Sequence, residues 1–203
     1  MRLIEDSRAP NPRRVRVFLA EKGIEVPREQ IDIMKLDHRE AAFTERNPMQ
    51  QVPVLILDDG AAIAESVAIC RYFEEVHPEP PLFGRSAKDR ALVEMWNRRM
   101  EIGLLFRVAQ CFRHLHPAMA PLENPQFKEW GEINRPRALE MLSWLDAELA
   151  GRRFMAGDHY TIADITAMVA VDFMRPARIE RPSSLANIAR WYGEVSSRPS
   201  AKA

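Results

Sequence analysis

Along the first third of the chain the spacing of apolar residues changes period repeatedly, and each change marks an element. Ile4 closes a short N-terminal strand, after which Asn11-Pro12 opens a helix, with Asn11 expected as N-cap and Pro12 at the first helical position. Val15, Phe18 and Leu19 supply its buried face, and Gly23-Ile24 ends it. A second strand is expected around Gln30–Ile33, followed by a short helix over Arg39–Arg46. Beyond Asn47-Pro48, Val54–Leu57 reads as a strand, Asp58-Asp59-Gly60 as a hairpin turn, Ala61–Ala64 as the returning strand and Glu65–Val76 as a helix. The order β-α-β-α-β-β-α ends at His77-Pro78-Glu79-Pro80-Pro81, where the prolines exclude helix and a linker is expected.

From Ala87 onward the period is helical. Leu92, Met95, Trp96, Met100 and Leu104 form one stripe, and Ala138, Met141, Leu142, Leu145 and Leu149 a second. Thr161 and Asp164 have the spacing of a capping box, with Tyr160 and Ile165 as its apolar staple, so another helix is expected to start there. A last one runs from about Ser184 to Arg198. Two domains are therefore expected, a mixed α/β unit over 1–77 and an all-helical unit over 84–203.

Composition narrows the function classes. The 203 residues carry 29 Lys plus Arg against 29 Asp plus Glu, so no net field draws the chain to nucleic acid or an anionic membrane. Charges and prolines interrupt MRLIEDSRAPNPRRV, leaving no signal peptide or membrane span to be drawn there, and a cytoplasmic location is expected. Cys70 and Cys111 sit in apolar helical stretches and read as reduced core thiols. The five histidines, at 38, 77, 114, 116 and 159, make no metal-ligand cluster, and no metal is expected.

Four stretches together resemble the glutathione transferase superfamily. PNPRRVRVFLAEKGI (Pro10–Ile24) is similar to its first helix and NPMQQVPVL (Asn47–Leu55) to its segment around a cis-proline. AIAESVAICRYF (Ala62–Phe73) is similar to its Glu-Ser motif, and FMAGDHYTIADITAMVAVDF (Phe154–Phe173) to the capping box of its sixth helix. The resemblance covers nearly the whole chain. It implies a thioredoxin-like N-terminal domain plus a helical C-terminal bundle, and a homodimer. It also implies an enzyme that conjugates glutathione, held as cosubstrate, to a small hydrophobic electrophile. Peroxide reduction, dehalogenation, isomerisation and a non-catalytic binding or interaction module remain alternatives.

The resemblance also implies site residues. A cis Val52-Pro53 peptide would turn the Val52 backbone outward, so that the tripeptide pairs with it as an added strand. Ser66, at a helix start, would hold the γ-glutamyl carboxylate and Glu65 the amino end, although Ser66 also reads simply as a cap. His38 and Gln51 stand where theta-like members contact the glycyl carboxylate or backbone. The position usual for a thiolate-stabilising Ser or Cys falls on Ala9, which can neither donate a hydrogen bond nor attack. Ser7, Asn11 and the positive end of the first helix are substitutes, since an unperturbed thiol near pKa ~8.5 needs a lowering of about two units to ionise at neutral pH. The sequence is similar to a bacterial and fungal subgroup without the usual residue, in which a water held by the C-terminal domain is implicated; His114 and His116 are candidates for that role. Leu104, Phe106, Arg107, Val108 and Phe112 lie in the region expected to line the second-substrate pocket between the domains.

Overall fold

A computed structural model describes all 203 residues. They divide into two compact units, Met1–Pro81 with the last two residues, and Leu82–Ala201. In the first, β1 (Arg2–Glu5), β2 (Arg28–Gln30), β3 (Val54–Ile56) and β4 (Ala62–Ala64) form one sheet in the order β2-β1-β3-β4. The β1–β2 pair is parallel and the other two are antiparallel. Ile4 pairs with Val54, and with Ile56 and Phe43 these make a buried cluster on one face of the sheet. Leu3, paired with Leu55, faces the other way because strand side chains alternate. The helices are α1 (Pro10–Lys22), α2 (Ala41–Thr44) and α3 (Ser66–Val76); α1 packs on α3, with Phe18, Ile69 and Phe73 buried. This is the expected thioredoxin-like order.

Local chemistry moves several boundaries. The first helix begins at Pro10 with Ala9 as its N-cap, not Asn11, and Ala9 offers no capping side chain. Pro10 and Pro12 both tolerate the first turn because their missing N–H groups would have had no helical partner there. Gly23 does end α1: it takes the left-handed conformation at φ 66°, and Ile24 N–H reaches back to the Leu19 carbonyl at 2.9 Å. The second strand stops at Gln30 rather than reaching Ile33. The Asp32 carboxylate accepts the Met34 N–H at 2.9 Å and caps a 3-10 turn over Ile33–Lys35, so a local side-chain bond overrides the apolar alternation. The helix expected over 39–46 is split into a 3-10 turn, Asp37–Arg39, and the single turn of α2.

The second unit is helical: α4 (Ala87–Arg98), α5 (Phe106–Leu115), α6 (Lys128–Leu149), α7 (Ile162–Phe173) and α8 (Ala186–Ser196). A π-type segment, Arg99–Leu105, joins α4 to α5. Trp96, Met100, Leu104 and Val108 are all buried and repeat every four residues. In a 3.6-residue helix each such step drifts by about 40°, and the wider π turns absorb that drift. The face differs from the expected stripe at its start, since Val93 is buried while Leu92 is exposed. The capping box at Thr161 and Asp164 is present, and Asp164 also accepts from Trp191 Nε1 and Met155 N–H, both at 2.9 Å. No helix is long and apolar enough to cross a membrane.

Candidate functional site

The chain's polar features converge where β4 runs into α3. Glu65 takes φ 68° and ψ 117°, a left-handed conformation costly for a residue with a Cβ, and its side chain is exposed. That turn ends the strand and starts α3 at Ser66, with no side chain capping the helix. Ser66 is itself buried, and its hydroxyl oxygen accepts a hydrogen bond from Arg14 Nη1 at 3.0 Å. An uncapped helix start with a hydroxyl and a cation behind it suits a carboxylate.

The sheet brings the cis-proline segment to the same place. Val54 pairs with Ala64 as the last rung of the β3–β4 ladder, so Val52, two residues before that rung, and Ser66, two residues after it, leave the sheet from the same end. The Val52-Pro53 peptide is cis, as the resemblance implies. Asn47 builds the loop that leads there: its Nδ2 donates to the Gln51 carbonyl at 2.8 Å and its Oδ1 accepts the Met49 N–H at 3.1 Å. Gln51 thus has its carbonyl engaged and its side chain exposed. Past the last paired residue of β3, the backbone of Val52 has no ladder partner and can take an added strand.

Arg14 ties this corner to the start of α1. The same Nη1 that reaches Ser66 lies 3.3 Å from Asn11 Oδ1. Asn11 is exposed, and with prolines on both sides it holds the only main-chain N–H among the first three residues of α1. Ser7 belongs to a second network: its N–H donates to Gln30 Oε1 at 3.1 Å and its carbonyl accepts from Arg16 Nη2 at 3.0 Å. Arg16 in turn pairs with buried Glu5 at 2.7 Å. Asp6 anchors the loop by accepting from Arg8 and from the Ile33 N–H. Burial raises its carboxyl pKa, but the Arg8 side chain and two main-chain donors outweigh that and hold it below the usual range. His38 is buried in the 3-10 turn at 37–39.

The other candidates lie in the second unit. His114 Nδ1 accepts the Phe127 N–H at 3.1 Å and its Nε2 faces the Glu123 carboxylate at 3.9 Å, while His116 Nδ1 accepts the Ala118 N–H at 3.2 Å, leaving Nε2 of that ring. The His116 ring also lies tilted against Phe112, which packs on Phe173. Leu104 and Val108 are fully buried in the bundle and line no open pocket, whereas Phe106 is exposed; Arg107 donates to Asn134 Oδ1 at 2.9 Å. Both cysteines are free and buried, and burial pushes the Cys70 thiol up to about 12. Arg14 was passed over in the sequence. Its signal was there, since it lies one turn before Phe18 and so on the buried side of α1.

Residues 9–76 match the glutathione S-transferase N-terminal domain and residues 96–199 the glutathione S-transferase C-terminal domain. Glutathione S-transferase 2 of Saccharomyces cerevisiae is 36% identical over 196 residues, covering 95% of this chain and 84% of that protein. The chain belongs to the glutathione S-transferase family. A glutathione S-transferase domain-containing protein of Marinobacter aquaeolei superposes with a TM-score of 0.96 at 38% identity, over 98% of this chain and 99% of that one. Gtt2 of Saccharomyces cerevisiae superposes with a TM-score of 0.95 at 34% identity, over 100% of this chain and 99% of that one. The glutathione S-transferase fold, a thioredoxin-like sheet domain followed by a helical domain, is therefore the fold of this chain.

Proposed function

We propose that this chain, as a glutathione S-transferase, joins the sulfur of bound glutathione to a small hydrophobic electrophile. The observation that carries the reading is the Arg14-backed hydroxyl of Ser66 at an uncapped helix start, at the same end of the β3–β4 ladder as the backbone of Val52. In this reading Ser66 O–H and N–H hold the γ-glutamyl carboxylate, and exposed Glu65 takes the amino end. Val52 pairs with the peptide backbone ahead of Pro53, while Gln51 and His38 serve the glycyl end.

The thiol lies at the start of α1. The Ala9 methyl offers it no hydrogen-bond donor, so the Asn11 N–H and amide and the positive end of α1 stabilise the thiolate instead. The thiol proton leaves to solvent, a C–S bond forms at the electrophilic carbon, and the leaving group departs with the electron pair of the bond that breaks. Ser7 is a weaker candidate, since its main chain is engaged in a separate network. Of the two histidines, His116 keeps Nε2 for holding a water, whereas His114 Nε2 faces Glu123. The family resemblance supports a homodimer, for which sedimentation should give twice the 23.3 kDa chain mass.

Calorimetry with reduced glutathione, on the wild type and Ser66→Ala, tests the reading, with turnover of an aromatic halide followed in the same samples. Wild-type binding and turnover, with at least tenfold weaker binding in Ser66→Ala, is the expected result. Binding without turnover favours the non-catalytic module, for which Ala9 is the motivating residue. Binding with turnover only of peroxides, haloalkanes or isomerisable substrates favours the other enzymatic alternatives. No binding at millimolar glutathione sinks the assignment.

A further inference from the structure

A single buried nitrogen stands between the two groups on which the proposed reaction depends. Arg14 is 1% exposed, and its Nη1 approaches Ser66 Oγ at 3.0 Å and Asn11 Oδ1 at 3.3 Å. A guanidinium has donors and no acceptor, which fixes the sense of both contacts. Because Ser66 Oγ accepts from below, its own O–H is free to donate outward. Because the Asn11 oxygen turns towards Arg14, its NH₂ must turn away from it.

We propose that Arg14 is a positioning residue that orients the Ser66 hydroxyl and the Asn11 amide as donors, towards the carboxylate and the thiol of bound glutathione respectively. The inference rests on the transferase reading above and adds to it a link between the two ends of the γ-glutamyl-cysteine moiety. Without the cation, the Asn11 amide can turn over and present its oxygen to the sulfur, which disfavours the thiolate. The Ser66 hydroxyl likewise loses its fixed direction. Arg14 touches no substrate atom. Its charge lies beneath both donors and adds attraction for the anionic groups above them.

The geometry also says which replacement should work. Both contacts, to Ser66 and to Asn11, are made by the same nitrogen, which carries two N–H groups. A lysine ammonium supplies that chemistry, whereas methionine fills the space without donating.

The test compares wild type, Arg14→Met and Arg14→Lys by two readouts at a temperature well below the melting point of each. The first is the ultraviolet absorbance of the bound glutathione thiolate against pH. The second is calorimetric affinity for S-methylglutathione, which keeps the carboxylates and lacks the ionisable thiol. Arg14→Met should raise the apparent thiol pKa by about one pH unit and weaken S-methylglutathione binding about tenfold, and Arg14→Lys should restore most of both. A lowered melting point with both readouts unchanged would mean a purely structural role and overturns the proposal. Should Arg14→Met fail to fold, Asn11→Asp at the exposed position keeps the Arg14 contact but loses the outward donor. The thiol pKa must then rise while S-methylglutathione affinity holds, and an unchanged thiol pKa overturns the proposal. A wild type that binds neither ligand condemns the transferase reading itself; one that binds normally beside unaltered variants condemns only the role of Arg14.

Discussion

Asp6 is 1% exposed, and its carboxylate holds the chain just before α1 through Arg8 and the Ile33 N–H. Its folded pKa is lowered, so the stabilisation it gives is complete above the unfolded value of 3.8 and disappears as pH falls through the folded value. Asp6→Asn should therefore cost about 1–3 kcal/mol at pH 7. It should also flatten the loss of stability in the acid range, as followed by urea denaturation between pH 7 and pH 2. A variant as acid-sensitive as the wild type would show that other carboxylates govern acid unfolding. At Asp164 the carboxylate receives Met155 N–H, Trp191 Nε1 and both donors of Thr161. Asp164→Ala strands these buried donors and should cost about 3 kcal/mol or more by the same measurement.

Among the elements, the packing of α5 and the π segment on α6 depends on two glycines that differ in what surrounds them. A Cβ on Gly131 would sit 2.6 Å from Leu115 Cγ and 3.2 Å from His114 Cβ, both close to the α5 backbone. A Cβ on Gly103 would meet Met141 Cε at 3.0 Å, the far end of a flexible side chain. Gly131→Ala should thus destabilise by about 1–3 kcal/mol through overpacking. Gly103→Ala should be within about 0.5 kcal/mol of wild type, as the gain in helix propensity offsets a small shift of Met141. Equal melting temperatures for the two variants would contradict this account of the α5–α6 contact. The capping box of α7 and the glycine end of α1 were legible in the sequence because each is built from a few adjacent residues. The end of β2 and the start of α1 were not, since Asp32 and the paired prolines act through one local bond or its absence.

On the scale of the whole molecule, Cys70 falls in the first compact unit and Cys111 in the second. Both thiols are buried, and burial raises the pKa of each. Neither should react with an aromatic disulfide reagent at pH 8 in the native protein, and both should react once the chain is denatured in urea. A thiol titrating in the native state would show that its unit opens without global unfolding.

The order of elements, the division into a mixed and a helical part, and the family were determined by the sequence itself. Periodicity, turn residues and caps are short-range, and the four matching stretches preserve them in order. The cis Val52-Pro53 peptide and the helix start at Ser66 were also legible, since each belongs to one of those stretches. What only the tertiary structure decided was the company those residues keep. The hydroxyl of Ser66 meets a guanidinium 52 positions earlier in the chain, and no local pattern records such a pair. Register did the same for Val52, because β3 and β4 must pair before it and Ser66 leave the sheet from the same end. Leu104 and Val108 looked equally fit for a pocket or a core, since apolar periodicity names a buried face without saying what buries it; packing put both inside the bundle.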